Sequence, residues 1–309
     1  MAIGLKQLQY CVAVAEEEQM TRAARRLHVA QPALSRIILQ VESELGVELF
    51  ERHARGVTPT PAGEAFLEKA RRALAASSDV LRTAQSLARA ARGRIEIGFI
   101  GPPPMLNAPE LFVSFADAHP EAEVSFRGLP FPTGSTVSWL KDVDVAFSHS
   151  PVPDPAVRDQ LVRAEPRVVL APSDHPLARS SELGVADVLD ETYISYHPTV
   201  QPAWAGFHSL DDHRGGPPAR TTADHVVTPL DILAIMASPR GVTTLPACDA
   251  AIIQRALPGL AVIPLRDATP AMLSLTWRET IANPLVESLV ASAQRVSEVS
   301  IDGRSPGSG

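Results

Sequence analysis

Gln31-Pro32-Ala33-Leu34-Ser35-Arg36-Ile37-Ile38 is the segment from which the rest of the chain can be placed. Pro32 suits the first turn of a helix, where its missing N–H costs nothing. Leu34, Ile37, Ile38, Val41 and Leu45 follow at offsets of 0, 3, 4, 7 and 11 residues and define one buried face. Gly46 supplies a stop. Gln31, Ser35 and Arg36 stand on the other side of the first turn. Upstream, Thr21 reads as the N-cap of a short helix with Ala23, Ala24 and Leu27 facing inward, and His28-Val29-Ala30 as a tight turn. Leu5, Leu8, Val12 and Ala15 give an earlier stripe at helical spacing. Two helices joined by such a turn are a common DNA-reading unit. Gln bonds adenine bidentately, Pro32 can meet a thymine methyl, and Arg36 and Ser35 can hold phosphates or base edges. The same side chains would also make an ordinary solvated helix face.

Downstream the chain reads Leu49-Phe50-Glu51-Arg52, then His53-Ala54-Arg55-Gly56-Val57-Thr58-Pro59-Thr60-Pro61-Ala62-Gly63. This is the pattern of a short β-hairpin wing with Arg52 and Arg55 near its tip. Thr60 then caps a long helix that begins at Pro61. Taken in order, Ala23-Ala24, Gln31-Pro32-Ala33-Leu34-Ser35-Arg36-Ile37-Ile38, Val41-Glu42, Leu45-Gly46, Leu49-Phe50-Glu51-Arg52 and Thr60-Pro61-Ala62-Gly63 resemble the LysR family of bacterial transcription regulators. The resemblance covers some sixty residues. It implies that Gln31, Pro32, Ser35 and Arg36 face DNA, and that Arg52 and Arg55 serve a wing that tracks phosphates or the minor groove. Three positions depart from the family pattern. Ala30 stands where a capping Ser or Thr is common, which should cost about 1 kcal/mol of local helix stability. Val41 and Pro59 stand where Leu is usual, and Pro59 bears on the path of the wing.

Charge is divided unevenly along the chain. The 309 residues carry a net −7, an unusual sum for a DNA binder. Residues 1–92 hold 13 Lys/Arg against 10 Asp/Glu, an excess of +3; the remainder holds 15 against 25, or −10. Different partners are implied for the two parts. A 45% hydrophobic content supports folded domains over most of the length. No apolar run reaches the roughly 18 residues of a membrane span, and the start lacks a secretory layout, so a cytoplasmic protein is expected. Cys11 and Cys248 are far apart and read as small buried hydrophobes. No histidine pair has metal-ligand spacing, and no nucleophile elbow, phosphate loop or dinucleotide fingerprint is present. No cofactor, metal or catalysis is therefore expected.

Along the long helix, Phe66, Ala70, Ala73, Ser77, Val80, Ala84 and Leu87 recur at three- and four-residue steps. Such a seam is buried by pairing with a second copy or by packing on its own domain. The resemblance favours a homodimer, further assembled as a homotetramer. A two-fold pair reads duplex DNA with inverted-repeat half-sites. RNA polymerase is a further partner of such a regulator.

After Arg94, β-like runs at 94–100, 123–127, 143–147, 167–171, 241–245 and 261–265 alternate with helical stretches, the signature of βαβ units and a mostly parallel sheet. Gly98-Phe99-Ile100-Gly101, Asp174-His175-Pro176-Leu177-Ala178, and the stretch from Ile232 to Pro246 are similar to the effector domain of the family's aromatic-catabolism regulators. The resemblance implies an α+β multidomain chain: a winged helix-turn-helix (1–60), a dimerisation linker helix (61–92), a periplasmic-binding-protein-like effector domain (93–300) and a disordered tail (301–309). Lobe one would take 94–163 and 266–300, and lobe two 164–265.

An effector, expected to be a small organic acid, would then sit between the lobes. Pro102-Pro103-Pro104 removes three N–H donors from the first helix start, so a carboxylate would lean on Thr133, Gly134 and Ser135 instead. Phe99, Pro102, His149, Tyr196, Pro198 and Thr228 complete the expected lining, with His149 and His197 as hydrogen-bonding candidates. Three readings stand at this point: an effector-responsive regulator, a binding protein or enzyme with a helix-turn-helix-like module, and a ligand-independent DNA binder whose C-terminal part only assembles subunits.

Overall fold

The computed structural model describes residues 3–53, 56–106, 108–133, 137–149, 156–236, 241–281 and 283–301. The chain forms two compact units, residues 1–84 and 85–309.

The first unit opens with α1 (Leu5–Glu17), α2 (Met20–Arg26) and α3 (Gln31–Leu45). The buried face of α1 is Tyr10 to Val14, while Leu5 at the helix start is exposed, so the expected stripe is displaced toward the middle of the helix. α2 starts two residues earlier than expected, with Gln19 as its N-cap and Thr21 inside its first turn. α3 buries Leu34, Ile38 and Val41. Its N-cap is Ala30, which offers no side-chain bond, and its C-cap Gly46 adopts φ +68°.

The Glu42 carboxylate accepts the N–H groups of Leu49 (2.8 Å) and Phe50 (3.1 Å), which pins the end of α3 to the wing. The wing is β1 (Phe50–His53) paired antiparallel with β2 (Gly56–Pro59). Pro59 ends β2 opposite Phe50, so the strand accommodates it at a terminus. Gly56 presses on the α1–α2 turn: a Cβ there would lie 2.3 Å from the Glu18 carbonyl oxygen. The neighbouring Val57 N–H donates to that oxygen at 2.8 Å.

α4 (Pro61–Ala90) is one continuous helix. Thr60 Oγ1 accepts the Gly63 N–H at 2.9 Å, a side-chain N-cap, and donates to the Glu48 carbonyl at 2.8 Å. A Cβ on Gly63 would lie 2.0 Å from the Leu49 carbonyl oxygen, the physical reason for glycine at that motif position. Leu67 and Ala70 are buried in the first unit's core, with Phe66 and Leu74 packed against it. Val80 and Leu87 are 70% and 50% exposed. The expected seam therefore splits: its start packs on its own unit, and its later positions do not.

The second unit continues with β3 (Arg94–Phe99), α5 (Pro109–Ala118), β4 (Glu123–Gly128), β5 (Val145–Ser148), β6 (Val157–Glu165), β7 (Arg167–Pro172) and β8 (Tyr193–Tyr196). Then come α6 (Pro202–Ser209), α7 (Asp211–Arg214), β9 (Thr221–Val226), α8 (Pro229–Met236), β10 (Thr243–Pro246), α9 (Ala247–Ala256), β11 (Leu260–Pro264), β12 (Ala271–Arg278) and α10 (Pro284–Ile301). Helix α10 includes Ile301, the first residue of the expected tail; 302–309 lie outside the described residues.

Among the described residues, one lobe holds a sheet of order β4-β3-β5-β12-β6, and the other a sheet of order β10-β7-β11 beside the pair β8-β9. β3 runs parallel to β4 and β5, and β8 parallel to β9. β12 is antiparallel to β5 and β6, and β7 is antiparallel to β10 and β11. The expected mostly parallel sheet is thus corrected to a mixed arrangement. β6 leads directly into β7 past Pro166, and β11 reaches β12 through residues 265–270, so the chain crosses between the lobes twice. A shared hydrophobic cluster joins them, with Ile100, Phe131 and Trp139 from one side and Leu170, Trp204 and Leu245 from the other.

The last turns of α4 are fastened to the first lobe by Asp144, which is 1% exposed. Its carboxylate accepts two bonds from Arg89 (2.7 and 2.8 Å), one from Ser86 Oγ (2.8 Å) and one from the Glu96 N–H (3.0 Å). Asn283 Nδ2 adds a fifth at 3.3 Å. Bonding to Asp144 raises the pKa of Arg89.

Candidate functional site

In the first unit, Gln31, Pro32 and Arg36 are exposed on the first turn and a half of α3, with Ser35 half-buried between them. Arg52 Nη1 donates to Ser35 Oγ at 3.1 Å, so the wing and the helix present one continuous polar surface. Arg55 lies outside the described residues. The surface offers an amide with both donors and acceptors, two guanidinium forks and a hydroxyl, the groups that read base edges and phosphates.

In the second unit, a cavity of about 230 Å³ lies where the lobes meet. Gly101, Pro102, Pro103 and His149 come from the first lobe, and Trp204, His208, Ile232, Leu245 and Asp249 from the second. Among the described lining residues there is no Lys or Arg. Burial holds His149 down to about 3 and His208 to about 4, so both imidazoles are neutral near pH 7. The 3.6 Å approach of His149 Nδ1 to the Asp249 carboxylate is accordingly a polar contact and not an ion pair.

Of the lining expected from sequence, Pro102 and His149 border this cavity. None of the other described positions is among the residues that border it. Phe99 packs against the first lobe's core. Thr133 forms a bridge with Val200. Tyr196 stacks on His208, 5.5 Å between centroids. Pro198 is exposed, and His197 bonds Thr199 within the same turn at 2.8 Å. The Thr228 N–H is taken by the Asp231 carboxylate at 2.7 Å. Gly134 and Ser135 lie outside the described residues. Sequence reasoning missed Trp204, His208 and Asp249. The first two stand four residues apart behind Pro202, a legible helix start, so their common face could have been read.

Three donors that sequence spacing did not connect also meet here. His149, Cys248 and Asp249 bring an imidazole nitrogen, a thiol and a carboxylate oxygen within 4.8 Å of one another, a donor set suited to a thiophilic divalent cation. Burial and the Asp249 charge hold the Cys248 thiol well above its usual pKa. A second cavity, about 790 Å³, shares His149 and is lined also by Asp159, Phe207, Asp211, Asp212 and Thr276. Asp212 there is paired with the buried Arg167 at 2.9 Å.

Residues 5–64 match the bacterial regulatory helix-turn-helix protein, lysR family, and residues 88–298 match the LysR substrate binding domain. This chain belongs to the LysR family. Among LysR regulators, BenM of Acinetobacter baylyi is 30% identical over 269 residues, covering 85% of this chain and 86% of BenM. TfdS of Cupriavidus pinatubonensis is 30% identical over 292 residues, covering 94% and 97%. The crystal structure of a full-length BenM mutant aligns over 99% of this chain and all of that one, with 26% identity and a TM-score of 0.53. CbnR, a LysR family transcriptional regulator, aligns over 94% and 100%, with 27% identity and a TM-score of 0.50. The chain is thus a LysR-type DNA-binding transcription regulator with an effector-binding domain, and these relatives are transcriptional regulators, not enzymes. Among the described residues, no helix is long and apolar enough to cross a membrane.

Proposed function

We propose that this LysR regulator reads an inverted-repeat operator through a two-fold pair of winged helix-turn-helix units, and that an effector in the 230 Å³ cavity sets its output. Gln31, Pro32, Ser35, Arg36, Arg52 and Arg55 contact the duplex. The exposed run of α4 around Val80 and Leu87 pairs two copies, and pairs of dimers form a tetramer. The protein acts in the cytoplasm, catalyses no reaction, and passes its signal to RNA polymerase. Domain limits of 1–60, 61–92 and 93–300 fit this division of labour.

One observation carries the effector reading: the cavity draws its walls from both lobes. An occupant that fits one lobe angle better than another shifts the population toward it, and only such differential affinity can do so. The test is a retardation and footprinting assay on the DNA upstream of the gene, with and without a cavity ligand. A footprint that changes with ligand is the expected result. An unchanged footprint with ligand demonstrably bound favours the ligand-independent alternative, and no retardation at low salt overturns the DNA reading.

A further inference from the structure

We propose that the effector is an uncharged, largely apolar molecule with one hydroxyl group, a phenol or alcohol about one ring in size. This rests on reading the inter-lobe cavity as the effector site.

The argument begins with a tautomer. His208 Nδ1 lies 2.8 Å from the Thr244 carbonyl oxygen. A carbonyl only accepts, so the ring proton sits on Nδ1 and Nε2 presents a bare lone pair. Burial keeps the ring from taking a second proton. His208 Nε2 is itself buried and has no hydrogen-bond partner in the protein. Trp204 Nε1–H, which can only donate, is likewise buried without a partner. Both side chains line the cavity, one turn apart on α6, with ring centroids 5.8 Å apart. One acceptor and one donor without protein partners thus belong to two side chains of the cavity wall, which otherwise includes Ile100, Phe131, Ile232 and Leu245.

A hydroxyl answers both groups: its proton goes to Nε2 and its oxygen accepts from the indole. A hydrocarbon answers neither. A carboxylate would face the lone pair of His208 and the charge of Asp249 with no cation among the described lining residues. Two helix starts beside the cavity do not favour it, and at a third, the start of α9, the Asp249 carboxylate itself stands in the first turn. The first lobe offers prolines at 102–104, and Asp231 already occupies the Val227 and Thr228 N–H groups before α8. The cavity exceeds the roughly 150 Å³ known to hold benzene in an engineered apolar site, which leaves room for one ring and a small substituent. Where the sequence led to a small organic acid, this inference takes a neutral hydroxylated ligand instead.

The experiment is calorimetric titration of the full-length protein with three probes of one shape: p-cresol, toluene and 4-methylbenzoate. Binding of p-cresol at least ~10-fold tighter than either of the others is expected, because a site with unpaired polar groups penalises the analogue lacking the matching group. Trp204→Phe and, separately, His208→Phe should each weaken p-cresol several-fold while leaving toluene unchanged. That pattern distinguishes lost bonding from lost packing, and Trp204→Phe keeps an aromatic ring in place if the histidine variant does not fold. Tighter binding of 4-methylbenzoate than of p-cresol, or equal binding of p-cresol and toluene, overturns the hydroxyl inference and leaves the effector cavity standing. No binding of any probe overturns both.

Discussion

Ala30 and His208 show how much a single side chain can decide, and in opposite directions. Ala30 leaves the start of α3 without a side-chain cap. Ala30→Ser is expected to raise the stability of the full chain by about 1 kcal/mol, read from urea unfolding of the first unit; no gain would mean that the cap geometry is already satisfied. His208 carries a cost that depends on pH. In the unfolded chain it ionises near its ordinary 6.5, in the fold only near about 4. Above 6.5 both states are neutral and stability is full. As pH falls through 6.5 toward 4, the unfolded chain binds a proton that the fold refuses. Stability then drops by up to about 1.4 kcal/mol per pH unit from this residue. His208→Gln should flatten unfolding curves over that window, whatever its effect at pH 7.5. The sequence named His149 and His197 as hydrogen-bonding candidates and passed over His208. Nothing near it in the chain announces the Thr244 carbonyl, 36 residues away, that fixes its tautomer.

Elements differ in how openly they declare themselves. The recognition helix, the wing and the start of α4 were legible because each is held by local contacts with strict residue demands: Glu42 on the Leu49 and Phe50 amides, Thr60 on Gly63, and Gly63 against Leu49. Their joint surface leads to a prediction. Arg52→Ala removes both a wing guanidinium and its bond to Ser35. It is expected to weaken operator binding and to lower the slope of log affinity against log salt by about 1 if Arg52 holds one phosphate. Retardation across a salt series checks this; an unchanged slope would assign Arg52 to positioning alone. Strands β6, β8, β9 and β12 escaped notice for a physical reason. Val-Arg-Asp-Gln-Leu-Val-Arg-Ala-Glu at 157–165 carries polar residues at most positions, as a sheet-edge strand can, and does not read as an apolar run. Without β6 and β12, the antiparallel half of the first sheet could not be foreseen.

At the scale of the whole molecule, the proposed association rests on α4. Val80, Leu81 and Leu87 remain exposed within their own units, while Leu67 and Ala70 do not. Val80→Glu combined with Leu87→Glu should therefore lower the assembly state in analytical ultracentrifugation without loss of helical circular dichroism. An unchanged sedimentation coefficient would place the interface elsewhere. The cavity was only half legible at this scale, since Pro102 and His149 belong to the first lobe and its remaining walls depend on how the second lobe folds back. The anchorage at Asp144 has a mechanical consequence. Five hydrogen bonds converge on one buried carboxylate, tying the final turns of α4 to β3 and to the residue preceding α10. Were the first-lobe sheet to turn on effector binding, this clamp is expected to carry the last turns of α4 with it rather than let them swivel.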